Sequence, residues 1–233
     1  DMSVGTLLRE ISLAKNNLIG VEEFRALYES DKLMSKVAAV YDGYEKEKAK
    51  KYLLDFDDLL VETYNLLSTD NSVREKYSER YYHVLVDEAQ DLNPLQNEIL
   101  NLIVDHANIN EKSYWVTGDD WQAIYGFCGA SVNNLLNFKN NFKQSEIFIL
   151  NINYRSTPQI LRACQNLISH NVRKIEKTLK TDNPEGDEVI VLESSSEEGE
   201  ALSIVNEIRE LTERKGYQYK DCAVLYRANF QSR

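Results

Sequence analysis

Several residue types are scarce in this sequence, and each scarcity narrows what it can be. Of 233 residues, 3 are cysteine, 3 histidine, 3 proline and 9 glycine. Cys128, Cys164 and Cys222 are scattered without metal-ligand spacing. They therefore argue against a disulfide framework or a zinc site and read as reduced thiols of an intracellular, cytoplasmic protein. His83, His106 and His170 are equally dispersed and read as structural. No run approaches the roughly 18–20 apolar residues of a membrane span, and Asp1 to Gly5 does not resemble a signal or transit peptide. Positive charge is short as well: 27 Lys and Arg stand against 38 Asp and Glu, a net charge of −11. That argues against a generally basic face for nucleic acid, but not against a local groove or base stacking on aromatics, of which 14 are Tyr. A G-x-x-x-x-G-K-[ST] phosphate loop is missing from these residues too.

What the sequence does have is organised around Tyr82-His83-Val84-Leu85-Val86-Asp87-Glu88-Ala89-Gln90-Asp91. A short apolar run, partly β-branched, reads as a buried parallel strand. It stops in carboxylates, at the edge of a sheet where open α/β folds bind ligands. Unpaired buried Asp and Glu cost several kcal/mol each, so a partner or metal ion is expected there; Mg²⁺ beside nucleotide phosphates is the commonest such arrangement. The alternative is a strand running into an acidic, solvated helix start.

Around this stretch the spacing of apolar residues predicts a helix from Thr6 to Asn17 and a second from Glu22 to about Lys51, the latter ending in a solvated charged run. Asp55, with Asp58 as acidic N3 residue, signals a capped helix to about Leu67, followed by a Ser68–Ser72 loop. Pro94 marks a further helix start, as does Pro158 after Ser156 and Thr157 for a helix to about Val172. Residues 194–198 cap a helix ending near Lys215-Gly216. Further strands are expected at Tyr114–Thr117, with Trp115 in the core, and at Glu146–Leu150, Glu188–Glu193 and Asp221–Tyr226. Strands alternating with helices imply an α/β, doubly wound parallel sheet.

Three strands share one design. Their polar ends are Asp87-Glu88-Gln90-Asp91, Asp119-Asp120-Gln122 and Asn153-Tyr154-Arg155. A parallel sheet would present them along one edge, supplying carboxylates for a metal, an amide for water or phosphate, and a guanidinium for anionic oxygen. That is an inventory for cleaving a phosphoanhydride.

At these residues the chain resembles the UvrD/PcrA/Rep family of superfamily 1 DNA helicases. Val86–Asp91 resembles the family's second, Walker B-type motif, and Gly118–Phe127 its third. Leu150–Ser156 resembles the fourth, and Ala223–Arg233 the block after it. Leu54–Leu60 resembles the segment before the second motif, and Arg9–Asn16 the inserted 1B subdomain. The resemblance implies RecA-like, P-loop NTPase-type motor pieces with a helical start: a 1B-like portion over 1–51, the remainder of a 1A-like motor domain over 52–145, and the opening of a 2A-like motor domain over 146–233. It implies ATP and Mg²⁺ as cofactors, with Asp87 as metal ligand and Glu88 orienting or deprotonating the attacking water. Gln122 would sense the γ-phosphate, Arg155 would be the arginine finger, and Tyr154 would stack on adenine. Tyr125 and Phe127 would lie on single-stranded DNA.

The implied activity is ATP-driven 3′-to-5′ translocation and duplex unwinding, with single-stranded DNA and duplex junctions as partners, no membrane, and a bacterial-type, nucleoid-associated location. Cys128 stands where members of the family usually carry an arginine. The first motif and the last two are not in these residues, so the chain reads as an internal fragment, inactive alone and dependent on the missing segments. The alternatives are the motor of a recombination helicase-nuclease and a non-catalytic interaction module.

Overall fold

The computed structural model describes residues 2–104, 112–227 and 231; His106 and most of the Ala228–Arg233 stretch lie outside them. The chain divides into two compact units: residues 1–151 with 168–178, and residues 152–167 with 179–233.

The first unit begins with three helices, α1 (Val4–Asn16), α2 (Val21–Leu27) and α3 (Lys32–Lys51). Ile11, Ala14, Phe24, Val37, Ala38 and Tyr41 form their shared core. The continuous helix expected from Glu22 to Lys51 is broken at residues 28–31, because the Asp31 carboxylate accepts the N–H groups of Leu33 and Met34 and starts a new helix. Val40 on the same helix is exposed, while Ala38 is buried in the core.

The charged end of α3 is only partly a solvated face. Lys46–Asp42 and Lys51–Glu47 are exposed i,i+4 pairs, but Lys48 is buried. Its ammonium and that of buried Lys15 from α1 both grip the start of α4 (Phe56–Thr69). Lys15 Nζ donates to Asp55 Oδ2 at 2.8 Å and Asp58 Oδ1 at 2.6 Å; Lys48 Nζ donates to the same Asp55 oxygen at 3.0 Å and to Asp58 Oδ2 at 2.6 Å. Between them, Asp55 and Asp58 form the expected reciprocal cap, each carboxylate accepting the other's backbone N–H at 2.8 Å. The buried Asp58 and half-buried Asp55 carboxylates are tolerated here because each has two cations and a backbone donor. Glu45, Asp55 and Asp58 make a three-carboxylate cluster, but the two ammonium groups fill the place a metal ion would take.

The Ser68–Ser72 cluster is a junction rather than a loop: Asp70 caps α5 (Asn71–Arg80) through the N–H groups of Ser72 and Val73. Strand β1 (His83–Val86) follows and pairs in parallel with β2 (Ser113–Val116), Leu85 opposite Trp115. Between them runs α6 (Pro94–Val104), whose start is fixed by Asn93 and Gln96 exchanging side-chain-to-backbone hydrogen bonds. Asn93 also donates to Asn16 Oδ1 at 2.8 Å, and Asn16 donates to Asp57 at 3.0 Å, tying α1 and α4 to the turn after β1.

β1 is not buried, and Trp115 is not core: Leu85 is 74% exposed and Trp115 57%. Among the described residues the sheet has two strands and this face carries no covering layer. Beyond β2, two short helices, α7 (Asn133–Leu136) and α8 (Phe138–Asn141), pack Phe138 and Phe142 on Tyr114.

The second unit contains α9 (Pro158–Ser169), most of whose residues it holds, and α10 (Glu197–Arg214), capped by Ser196 as expected. Glu146–Leu150, Glu188–Glu193 and Asp221–Tyr226, expected as strands, form no ladder. A strand is made by its neighbour's hydrogen bonds, and the one pairing described nearby is a parallel bridge from Ile152 to Lys180. The architecture is α/β and mostly helical, with one two-stranded parallel sheet among the described residues.

Candidate active site

The site is built where β1 and β2 end. Past Val86 the ladder runs on for one more step, Thr117 N–H to Val86 O at 2.8 Å and Ala89 N–H to Thr117 O at 3.0 Å, so the two strand ends stay in register. Asp87 is exposed; its Oδ1 accepts the Thr117 hydroxyl at 2.6 Å and the Glu88 N–H at 3.0 Å. The Thr117 hydroxyl and then the Glu88 amide hold its carboxyl below the usual carboxylate range. The side chain is thus an oriented, ionised oxygen donor, the kind Mg²⁺ accepts while keeping several waters.

Glu88 sits in the left-handed region, φ 50° and ψ 43°, a conformation that costs a non-glycine residue of order 1 kcal/mol and clusters at functional sites. The turn aims its carboxylate at Gln90, whose Nε2 donates to Glu88 Oε2 at 2.7 Å. Gln90 is only 2% exposed, and its Oε1 accepts the Asp119 N–H at 2.9 Å. One buried amide therefore bridges the two strand ends. A side chain on Gly118 would not fit beside it: a Cβ there would lie 2.8 Å from Gln90 Oε1 and 3.1 Å from Leu135 Cδ2. The last acid of this turn, Asp91, has a buried Oδ1 with no hydrogen-bond partner among the described residues.

After β2, Asp119 caps a 3₁₀ turn over Asp120–Gln122; its Oδ1 accepts the Trp121 N–H at 3.0 Å and its Oδ2 the Gln122 Nε2 at 2.6 Å. Here the sequence reading missed a residue. Lys177 Nζ lies 2.6 Å from Asp119 Oδ1 and 2.9 Å from Asp120 Oδ1, and 4.7 Å from the Trp121 ring centroid. Asp119 and Asp120, expected as open ligands, are taken up by this cation. Burial would raise the Asp119 carboxyl, but Lys177, Gln122 and the Trp121 amide outweigh it and hold it low. Lys177 stands 58 positions from Asp119, and no local pattern marks it.

Tyr125 precedes the next 3₁₀ turn, Gly126–Cys128, and Phe127 lies within it; both are exposed and not core, with ring centroids 6.1 Å apart. Cys128 is exposed beside them. In the second unit, Asn153 closes a tight turn by accepting the N–H groups of Arg155 and Ser156, and leaves Tyr154 81% exposed and Arg155 exposed. Arg155 makes no ion pair among the described residues. His83 Nδ1 and Ser113 Oγ share a hydrogen bond at 2.6 Å.

The residues present fit the metal-and-water side of a phosphoanhydride site, an ionised carboxylate beside a second carboxylate and an amide. They do not include the Gly- and Lys-bearing cradle that triphosphate binding requires.

Two family models of known proteins between them match nearly the whole length of the chain. The model of the UvrD/REP helicase N-terminal domain matches residues 4–143, and that of the UvrD-like helicase C-terminal domain matches residues 148–233. The chain is 37% identical over 228 residues to a protein of Leuconostoc citreum named ATP-dependent DNA helicase PcrA, covering 98% of this chain and 30% of that protein. A PcrA of Staphylococcus epidermidis is 37% identical over 224 residues, with 96% and 30% covered. The chain thus spans under a third of the length of these relatives. Among the described residues no helix is long and apolar enough to cross a membrane. Two adjoining domain matches that between them account for nearly every residue place the chain in the UvrD/REP helicase family.

Proposed function

We propose that the chain is part of an ATP-dependent DNA helicase motor, coupling ATP hydrolysis to 3′-to-5′ movement on single-stranded DNA and duplex unwinding. Its divisions are a 1B-like portion over 1–51, a 1A-like motor portion over 52–145 and the opening of a RecA-like 2A portion over 146–233. Asp87 would hold Mg²⁺, which would supply charge neutralisation for the phosphates. Glu88 orients or deprotonates the attacking water. Gln122 reports on the γ-phosphate, Arg155 is the arginine finger and Tyr154 stacks on adenine. Tyr125 and Phe127 carry bases of single-stranded DNA, where stacking is worth about 1–3 kcal/mol per base.

The observation that carries this reading is the buried Gln90 amide, which ties the Glu88 carboxylate to the loop bearing Gln122. Groups that must act together on one phosphate gain from being held in one geometry before it arrives.

The test is Mg²⁺-dependent ATP turnover. The 233-residue chain is expected to show none. A longer polypeptide joining it to a G-x-x-x-x-G-K-[ST] segment is expected to turn over ATP, with Glu88→Gln cutting the rate about 10²–10⁴-fold, the worth of a positioned base. Turnover by the chain alone, or full turnover in Glu88→Gln, would sink the reading.

A further inference from the structure

We infer that Lys177 is a positioning residue for the Gln122 amide, acting through the Asp119 carboxylate. The inference rests on the reading of Gln122 given above only for its meaning in hydrolysis; the geometry stands by itself.

Asp119 divides its two oxygens between two tasks. Oδ1 takes the Lys177 ammonium and the Trp121 N–H, and Oδ2 takes the Gln122 amide at 2.6 Å. A carboxylate pinned at one oxygen by a cation and a backbone donor cannot turn about its Cβ–Cγ bond, so the other oxygen becomes a fixed acceptor. Gln122 is otherwise an exposed side chain on a 3₁₀ turn, with no second hydrogen bond among the described residues to hold its amide. The cation is well placed for such a role. Its side chain is 10% exposed, and its ammonium lies over the Trp121 ring.

The segment carrying Lys177 is anchored separately. Ile175 N–H donates to Asp120 Oδ2 at 2.7 Å, and Trp121 Nε1–H donates to Ile175 O at 3.2 Å. Asp120, whose side chain is 2% exposed, is thus the mooring of the segment, and Asp119 is the relay to Gln122. The two carboxylates share the Lys177 ammonium, at 2.6 Å and 2.9 Å, but only Asp119 accepts from Gln122 and only Asp120 accepts from Ile175, which allows the two roles to be told apart.

The experiment reads the Gln122 side-chain amide of the 233-residue chain by ¹⁵N–¹H spectroscopy, assigned by its disappearance in Gln122→Glu. In Lys177→Met the signals are expected to move to the position of a solvated glutamine, with proton exchange about tenfold faster, the loss of one charge-assisted hydrogen bond. Lys177→Arg, which keeps the charge, is expected to restore them. Asp120→Asn is expected to lower the melting midpoint and leave the Gln122 signals in place, an outcome that a merely structural role for Lys177 does not produce. Should Lys177→Met fail to fold, Lys177→Gln serves, with a smaller shift in the same direction. Gln122 signals unmoved in a folded Lys177→Met or Lys177→Gln chain would overturn the inference. No nucleotide is present in this measurement. Its failure therefore leaves the motor reading standing, and failure of the turnover test leaves the positioning role standing.

Discussion

Gln90 accepts the Asp119 backbone N–H at 2.9 Å while donating to Glu88 at 2.7 Å, so one buried side chain closes the gap between the ends of two parallel strands. Both of its hydrogen-bonding ends are used, one of them on a charged group. Gln90→Leu is expected to leave the Asp119 N–H without a partner and to cost about 1–3 kcal/mol. Urea unfolding followed by tryptophan fluorescence checks it; an unchanged midpoint would mean the bridge is not made in solution.

Gly118 has an ordinary backbone conformation, so its requirement is one of space. Gly118→Ala would push a methyl against the Gln90 oxygen at 2.8 Å and a Leu135 methyl at 3.1 Å. Gln90 is tethered at both ends and cannot swing aside without losing a bond. The expected cost is about 1–3 kcal/mol, typical of overpacking, and the combination Gln90→Ala with Gly118→Ala is expected to cost less than the sum of the two. A strictly additive double mutant would contradict the contact.

The ionic grip on α4 predicts a pH dependence. Burial pushes the Asp55 and Asp58 carboxyls up, but Lys15 and Lys48, with the capping N–H groups, outweigh it and hold both below the usual range. A depressed folded pKa adds stability that is complete above the unfolded value near 4 and is lost as pH falls through the folded values. Unfolding midpoints are therefore expected to be level from about pH 7 to 5 and to drop steeply below about pH 4. Lys15→Met leaves two carboxylates short of a buried cation and is expected to cost about 3–5 kcal/mol at neutral pH, with a shallower acid limb. A loss under about 1 kcal/mol would put the pair among surface ion pairs.

Phe127 is 52% exposed next to Tyr125. In a polypeptide that binds single-stranded DNA through this chain, Phe127→Ala is expected to weaken binding by about 1–3 kcal/mol, the worth of one stacked base. DNA affinity measured by fluorescence anisotropy, with Phe127→Trp as the variant that keeps a ring, decides it. Equal affinity for both variants would remove Phe127 from the DNA surface.

What could be read from the sequence was local. The Asp55–Asp58 cap, the starts of α6 and α9 at Pro94 and Pro158, and the two paired strands that stop just before Asp87 and Thr117 are signals carried within a few residues, and the structure has them. What escaped depends on partners far along the chain. Ile147, Phe148 and Ile149 have strand composition but no paired neighbour, so they form no ladder. Lys48 sits in a run that reads as solvated, and only the fold brings Asp58 and Lys15 to it. Lys177 is similarly silent until Asp119 and Asp120 are placed beside it. The break before Asp31 and the cap at Asp70 are different: both were written locally, as an acid ahead of a helix, and were hidden by the longer patterns around them.

The order in which the chain is made gives the Lys177 contact a further consequence. Lys177 lies 58 residues after Asp119 and beyond a stretch, 152–167, that belongs to the other unit. At about 5–20 residues per second on the ribosome, the helices and both strands of the first unit are synthesised roughly 3–12 s before the cation that completes the Asp119–Gln122 turn. During that interval Asp119 and Asp120 lack the cation that pairs with them in the folded chain, and only the hydrogen bonds of the turn itself and of Gln90 hold its shape. The first unit therefore cannot finish folding before residues 152–167 of the second have been translated.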